Sequence, residues 1–209
     1  MGEKLDFKKE FKDLYLPCKE PALIEVPPIR FIMVNGVGDP NGEEYHQAME
    51  LLYALTFTIK MSKMGGNAPE GYTEYVVPPL EGLWDCGTAG FNPDNRGNWR
   101  WTSMIRQPDF VTDKVFGWAC NQVAKKKPGL DVAKARFEFY DEKLCVQIMH
   151  EGPYSTEPQS IGKLAAFIAE NRLTDACGTD RRHHEIYLSD PRRTKPENLR
   201  TVLRHPVTK

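Results

Sequence analysis

Two stretches of helical period, Glu43 to about Met64 and Ser155 to Asn171, each sit among short runs of strand formers. No other feature of the chain constrains its fold as much. In the first stretch Tyr45, Met49, Leu52, Phe57 and Met61 recur at spacings of three to five with no proline between them. Asn41 is its expected cap, Glu43 and Glu44 suit the positive end of the helix dipole, and Gly65-Gly66 marks the end. In the second stretch Ile161, Leu164, Ala165 and Ile168 share a face. The first is flanked by strand candidates at Arg30 to Gly36, Tyr72 to Val77, Leu80 to Cys86 and Asn98 to Arg106, with a Gly, Asn, Asp and Pro-rich loop from Gly87 to Asn98. Around the second lie Ala135 to Tyr140 and Lys143 to His150, read as a hairpin turned by Asp141-Glu142, then His183 to Ser189 and Leu199 to His205. A third helix, Asp113 to Lys127, is capped by Thr112 or Asp113 and stopped by Pro128-Gly129.

This order predicts an α+β protein of duplicated strand-helix-strand-strand units with antiparallel sheets. Each unit's sheet face is too small to bury itself, and two units side by side leave a central cleft where a ligand would sit. At 209 residues the chain suits one domain. The expected division is a charged lead-in over 1–28, closed by Pro27-Pro28, and one ligand-binding domain over 29–209, with pseudo-repeats of about 29–110 and 111–209.

With 28 basic against 29 acidic residues the net charge is −1, so no polyanionic partner is called for. Lys125, Lys126 and Lys127 read as helix-end cations rather than a nucleic-acid surface. No apolar run reaches the roughly 20 residues of a membrane span, and the charged N-terminus has no apolar signal core, so a cytoplasmic protein is expected. The five cysteines form no CxxC pair and are expected as inert thiols. His150, His183, His184 and His205 lack metal-ligand spacing, and there is no GxSxG elbow, P-loop or GxGxxG after a strand. No cofactor or metal is implied, and the chain is expected as a monomer or weak dimer.

The candidate site rests on strand alternation. In His183 to Ser189, Glu185, Tyr187 and Ser189 share one face, while His184, Ile186 and Leu188 share the other. If the second face packs under the helices, Glu185 and Tyr187 look outward or into a cleft, where a carboxylate beside a phenol orients water, accepts a proton or binds a cation. The alternative is a surface Glu185 paired with Arg181, Arg182 or Arg192. Trp84, Trp101, Tyr53 and Phe57 are large, rigid and able to stack on flat ligands. Core packing is the competing reading for all of them and the better one for Phe57 and Trp118.

Several motifs carry a family resemblance. Glu185 to Pro191 (EIYLSDP), Lys195 to Leu199 (KPENL), Leu203 to Val207 (LRHPV) and His150 to Tyr154 (HEGPY) closely resemble the GyrI-like ligand-binding superfamily. Pro79 to Trp84 (PLEGLW) and Trp99 to Phe110 (WRWTSMIRQPDF) look like its stand-alone subfamily. The resemblance covers about residues 25 to 209. It implies a duplicated unit with a central cleft, shared with the effector domains of multidrug-sensing regulators, in which a strand glutamate meets cationic drugs among aromatics. Glu185 matches that position. No helix-turn-helix segment is present in the lead-in, which argues against transcriptional control by this chain alone.

The stand-alone subfamily resembles cyclopropanoid cyclopropyl hydrolases, which open the strained ring of flat, DNA-alkylating natural products inside an aromatic cage. On that resemblance Trp84 and Trp101 stack on the drug, Glu185 directs water, and Tyr187 or Tyr154 steadies the developing phenolate. The competing expectations are a non-catalytic binder that sequesters hydrophobic or cationic drugs, and a gyrase-modulating interaction protein suggested only by the superfamily's name.

Overall fold

The structure, a computed structural model, describes residues 4–85, 96–178 and 181–209. Two single-turn helices, α1 (Phe7–Glu10) and α2 (Lys12–Tyr15), lead into β1 (Ala22–Val26) and β2 (Ile29–Val37). The chain continues through α3 (Glu43–Lys60), β3 (Leu80–Trp84), β4 (Arg100–Arg106), α4 (Asp113–Lys126), β5 (Ala135–Tyr140) and β6 (Lys143–Glu151). α5 (Glu157–Glu170), β7 (Thr174–Asp175), β8 (His183–Tyr187) and β9 (Arg200–Thr208) complete it. The protein is α+β, and its described strand pairs are antiparallel. No helix among the described residues is long and apolar enough to cross a membrane.

The chain separates into two compact units that interleave in sequence, so their division differs from a boundary near residue 110. Met1–Glu10, Ile29–Pro78 and Asp94–Tyr140 form the first unit; Phe11–Pro28, Pro79–Pro93 and Asp141–Lys209 form the second. Strand pairing decides membership rather than chain order. β5 pairs with β2 in the first unit, whereas β6 pairs with β1 and β9 in the second, so the expected hairpin is replaced by two strands with different partners. The expected strand at Tyr72 to Val77 is reduced to one bridge, Leu5 to Tyr75, because Pro78-Pro79 and the turn before it leave no room for a ladder.

In the first unit β2 lies between β4 and β5, and α3 packs on the sheet. Ala48, Leu51, Leu52, Leu55, Thr56 and Ile59 form the buried stripe of α3. Tyr53, Phe57 and Met61 therefore lie on its outer side: Phe57 is 49% exposed, which corrects the core reading for that residue. Asn41 does not cap α3; its backbone and side-chain N–H groups both donate to Asp39 Oδ1, and Gly42 holds the cap position. Thr112 caps α4 as expected, accepting from the Val115 N–H at 3.3 Å.

Trp101 wedges into this unit opposite Gly36. A Cβ at Gly36 would fall 2.1 Å from Trp101 Cζ2, so only glycine lets the indole lie across the neighbouring strand. Gly36→Ala is expected to lower stability by about 1–3 kcal/mol, read as an earlier denaturant midpoint with an unchanged slope.

In the second unit the strand order is β1-β6-β9-β8-β3, with β7 added to β9. Ile148, Leu203, Glu185 and Gly82 are successive cross-strand partners and so share one face. α5 sits on that face over β6 and β9, burying Leu164 and Ile168 against Val146, Ile148, Leu203 and Val207. Gln147, Arg204, His184 and Leu83 are the partners on the other face. The lead-in covers this second face and is more than a tail: Leu14 and Tyr15 are buried, and β1 completes the sheet.

Candidate functional site

β8 sends alternate side chains to two different polar sites. His184 points into a buried ionic cluster on the face covered by α2. Its Nδ1 is 3.0 Å from both Glu142 carboxylate oxygens, and its Nε2 lies 3.0 Å from Glu81 Oε2, off the line of the ring N–H. Arg204 donates from Nη1 to Glu142 Oε2 at 2.8 Å, from Nε to Gln147 Oε1 at 3.1 Å and from Nη2 to the Leu14 carbonyl at 2.8 Å. Tyr15 donates to Glu81 Oε1 at 3.1 Å. Two carboxylates and two cations balance, and the hydrogen bonds made by Arg204 to Leu14 and by Tyr15 to Glu81 tie the cluster to the lead-in. Burial disfavours a charged Glu142, but the charges and hydrogen bonds of His184 and Arg204 outweigh it and hold its pKa down at about 2. Burial likewise opposes a charged His184, yet Glu142 and Glu81 raise its pKa to about 9. Glu142, expected as a turn residue, is a buried anchor with 1% exposure. The cluster is fully enclosed and so structural.

Glu185 and Tyr187 are on the opposite face. Trp84 Nε1–H donates to the Tyr187 hydroxyl at 3.0 Å, and that hydroxyl donates to Glu185 Oε2 at 2.7 Å. Gly82 makes this relay feasible, since a Cβ there would lie 3.0 Å from Trp84 Nε1 and 3.1 Å from the Tyr187 oxygen. Glu185 Oε1 also faces His183 Nε2 at 3.6 Å. Of the arginines in the surface-pair alternative, Arg181 donates to the carbonyls of Glu142, Leu144 and Val207, and Arg192 pairs with Asp190. The condition that the His184 face packs under the helices is not met for α5, which packs on the Glu185 face over β6 and β9.

α5 contributes the residue that the strand pattern could not reveal. Glu157, the first residue of that helix, is 8% exposed, and its Oε1 has no hydrogen-bond partner among the described residues. Burial, reinforced by the nearby charge of Glu185, raises its pKa far above the usual carboxyl range, to about 9. A helix N-terminus ordinarily favours an ionised glutamate, so burial wins here over the dipole. That shift favours the protonated form of Glu157 in the vicinity of Glu185. Such a pair supplies a proton donor and a proton acceptor at one place. In sequence Glu157 resembles any first-turn acid, and its burial has no local signal.

Tyr154 is edge-on to Tyr187, with ring centroids 6.1 Å apart, and is 40% exposed, so it marks the solvent side of the constellation. Thus Glu185, Tyr187, Trp84 and Tyr154 come together with Glu157 in the second unit. Trp101, Tyr53 and Phe57 belong to the first. Trp101 is 1% exposed, packs edge-on to Tyr45 and lines a cavity of about 60 Å³, room for a water or two rather than a flat multi-ring molecule. Tyr53 and Phe57 line an open groove with Trp118.

Asp175, Cys177 and His205 converge within 4.8 Å, but Cys177 is in a disulfide and its sulfur is no thiolate ligand. That disulfide departs from the expected inert thiol, since an odd cysteine count does not forbid one bridge. Cys18, Cys120 and Cys145 are free thiols, and Cys86 lies outside the described residues.

A family model for the GyrI-like small-molecule-binding domain matches residues 132–208. An uncharacterised conserved protein from Listeria innocua is 48% identical with a TM-score of 0.94, over 98% of this chain and 100% of its own. A hydrolase from Listeria innocua is 46% identical with a TM-score of 0.89, also over 98% of this chain and 100% of its own. The C-terminal domain of EcmrR, at 13% identity and a TM-score of 0.56 over 91% of this chain and 98% of its own, shares the fold. No curated protein matches. The chain belongs to the GyrI-like family and carries its small-molecule-binding domain.

Proposed function

We propose that this protein is a hydrolase that adds water across the strained cyclopropyl ring of flat, aromatic DNA-alkylating compounds. The observation that carries the reading is Glu157, buried at the start of α5 with an unpartnered carboxyl oxygen and raised in pKa by burial and by nearby Glu185, which itself accepts from the Tyr187 hydroxyl. The 46% identical Listeria protein described as a hydrolase supports an enzymatic role, and the sequence motifs around Trp84 and Glu185 support the substrate class.

The reaction requires no external oxidant. Glu185 takes a proton from water as the oxygen bonds to the cyclopropyl methylene. The ring C–C bond breaks, and its electron pair moves into the conjugated ring and onto the carbonyl oxygen. Glu157 protonates that oxygen, and return of the proton from Glu185 to Glu157 leaves the hydrated phenol as product. Tyr187 has one hydroxyl proton and directs it at Glu185, so its role is to position that carboxylate rather than to meet the phenolate. Trp84, 9% exposed, fixes Tyr187 through its indole N–H.

The test is to incubate a cyclopropyl-bearing alkylator with a catalytic amount of protein and follow the hydrated product by mass. Conversion through many equivalents is expected, whereas conversion that stops at one equivalent overturns the enzymatic reading in favour of sequestration. Glu185→Gln is expected to lose about 100-fold or more in turnover while still binding the substrate. A fully active variant removes Glu185 from the mechanism.

A further inference from the structure

We propose that the groove between α3 and α4 in the first unit is a second ligand site, for a flat aromatic molecule bearing one negative group. The groove encloses about 570 Å³, within the few hundred to about 1,000 Å³ typical of small-molecule sites. Two helical stripes face it. On α4 the stripe is Trp118, Gln122 and Lys126, spaced by four, so an indole, an amide and an ammonium line up along one side. On α3 the facing wall carries Tyr53 and Phe57, whose rings are tilted by 31° at 6.3 Å, and then Met61.

These side chains do not form a core. Tyr53 is 38%, Phe57 49% and Met61 47% exposed, although the inner stripe of the same helix is fully buried. The groove's charge selects the occupant. Glu50 and Lys127 form an ion pair at 2.7 Å and cancel, while Lys126 has no ion pair among the described residues and leaves one net positive charge at the groove. A planar ring system would lie between the Trp118 and Phe57 walls with its anionic group at Lys126. That preference is opposite to the acidic constellation of Glu157 and Glu185, so this site does not depend on the hydrolase reading.

The probe is anilinonaphthalene sulfonate, a flat aromatic anion whose fluorescence rises on binding, with N-phenyl-naphthylamine as the same ring system without the charge. The anion is expected to bind at one equivalent and roughly tenfold more tightly than the uncharged analogue, about the effect of one charge-assisted contact. Lys126→Glu, on the surface, is expected to lower affinity for the anion about tenfold or more and leave the analogue unchanged. Phe57→Ala, whose half-exposed position tolerates truncation, is expected to weaken both probes, and Glu185→Gln neither. Unchanged binding of the anion in Lys126→Glu or in Phe57→Ala overturns the site, as does loss of binding in Glu185→Gln.

Discussion

Glu142→Ala is expected to remove about 3–5 kcal/mol of folding stability, read from the shift in denaturant midpoint. The cost arises from what remains. Arg204 and His184 stay in the same enclosed space, 2% and 1% exposed, with only Glu81 to balance two positive charges. The Arg204 fork, which also holds Gln147 and the Leu14 carbonyl, loses its Glu142 ion-pair partner. The same cluster sets both pH limits of its contribution. The raised His184 pKa means the fold favours the protonated ring: that stabilisation is complete below the ordinary value of 6.5 and is lost as pH rises through about 9. The depressed Glu142 pKa works the other way, contributing above the ordinary value of 4.5 and failing as pH falls through about 2. Stability measured against pH should therefore lose its acid step between those two values in Glu142→Ala. A change in midpoint worth less than about 1 kcal/mol at neutral pH would show that the cluster is not a main support of the second unit.

The elements were largely legible from the sequence because each rests on local periodicity. Alternation in His183 to Tyr187 reads directly as a strand whose odd and even residues part company, and α3, α4 and α5 follow from helical spacing bounded by Gly and Pro. What alternation cannot say is what covers each face. His184 shares a face with Ile186, which made that face look like the apolar underside of a helix layer, but the groups on it are carboxylates, an arginine and the carbonyls of the lead-in. The polar surroundings come from residues 20 or more positions away in the chain, and no short window of sequence contains them. The same limit hid β1, since Ala22–Val26 ends in prolines and becomes a strand only by pairing with β6. It also explains α3. Aromatic residues fall on two sides of that helix, and spacing alone did not distinguish the inner stripe at Leu51, Leu55 and Ile59 from the outer one at Tyr53 and Phe57. Within the candidate site, motif and alternation pointed to Glu185, Tyr187 and Trp84, whereas the burial of Glu157, a first-turn acid, is visible only in the tertiary structure.

Glu157→Gln is expected to separate function from stability. If Glu157 is the proton donor, the amide cannot supply the proton, and turnover should fall by about 100-fold or more, the range of general acid catalysis. Its thermodynamic effect should have the opposite sign. A carboxyl whose pKa is raised from 4.5 to about 9 stabilises the fold only while the unfolded chain is also protonated; above the unfolded value that advantage is progressively lost, until pH passes the folded value. At neutral pH the unfolded state gains from ionising and the native state does not, so Glu157 weakens the fold by up to about 3 kcal/mol at pH 7. Glutamine keeps the shape without that liability and should raise the midpoint at neutral pH, with little change at pH 4. The pH profile offers a further signature: wild-type turnover should decline as pH rises through about 9, when the acid ionises, and the residual activity of Glu157→Gln should lack that alkaline limb. A variant that is less active because it is less stable would not give this pattern. Lower turnover in a more stable protein, without the alkaline step, places the acid at Glu157; full activity, or destabilisation at pH 7, removes it from that role.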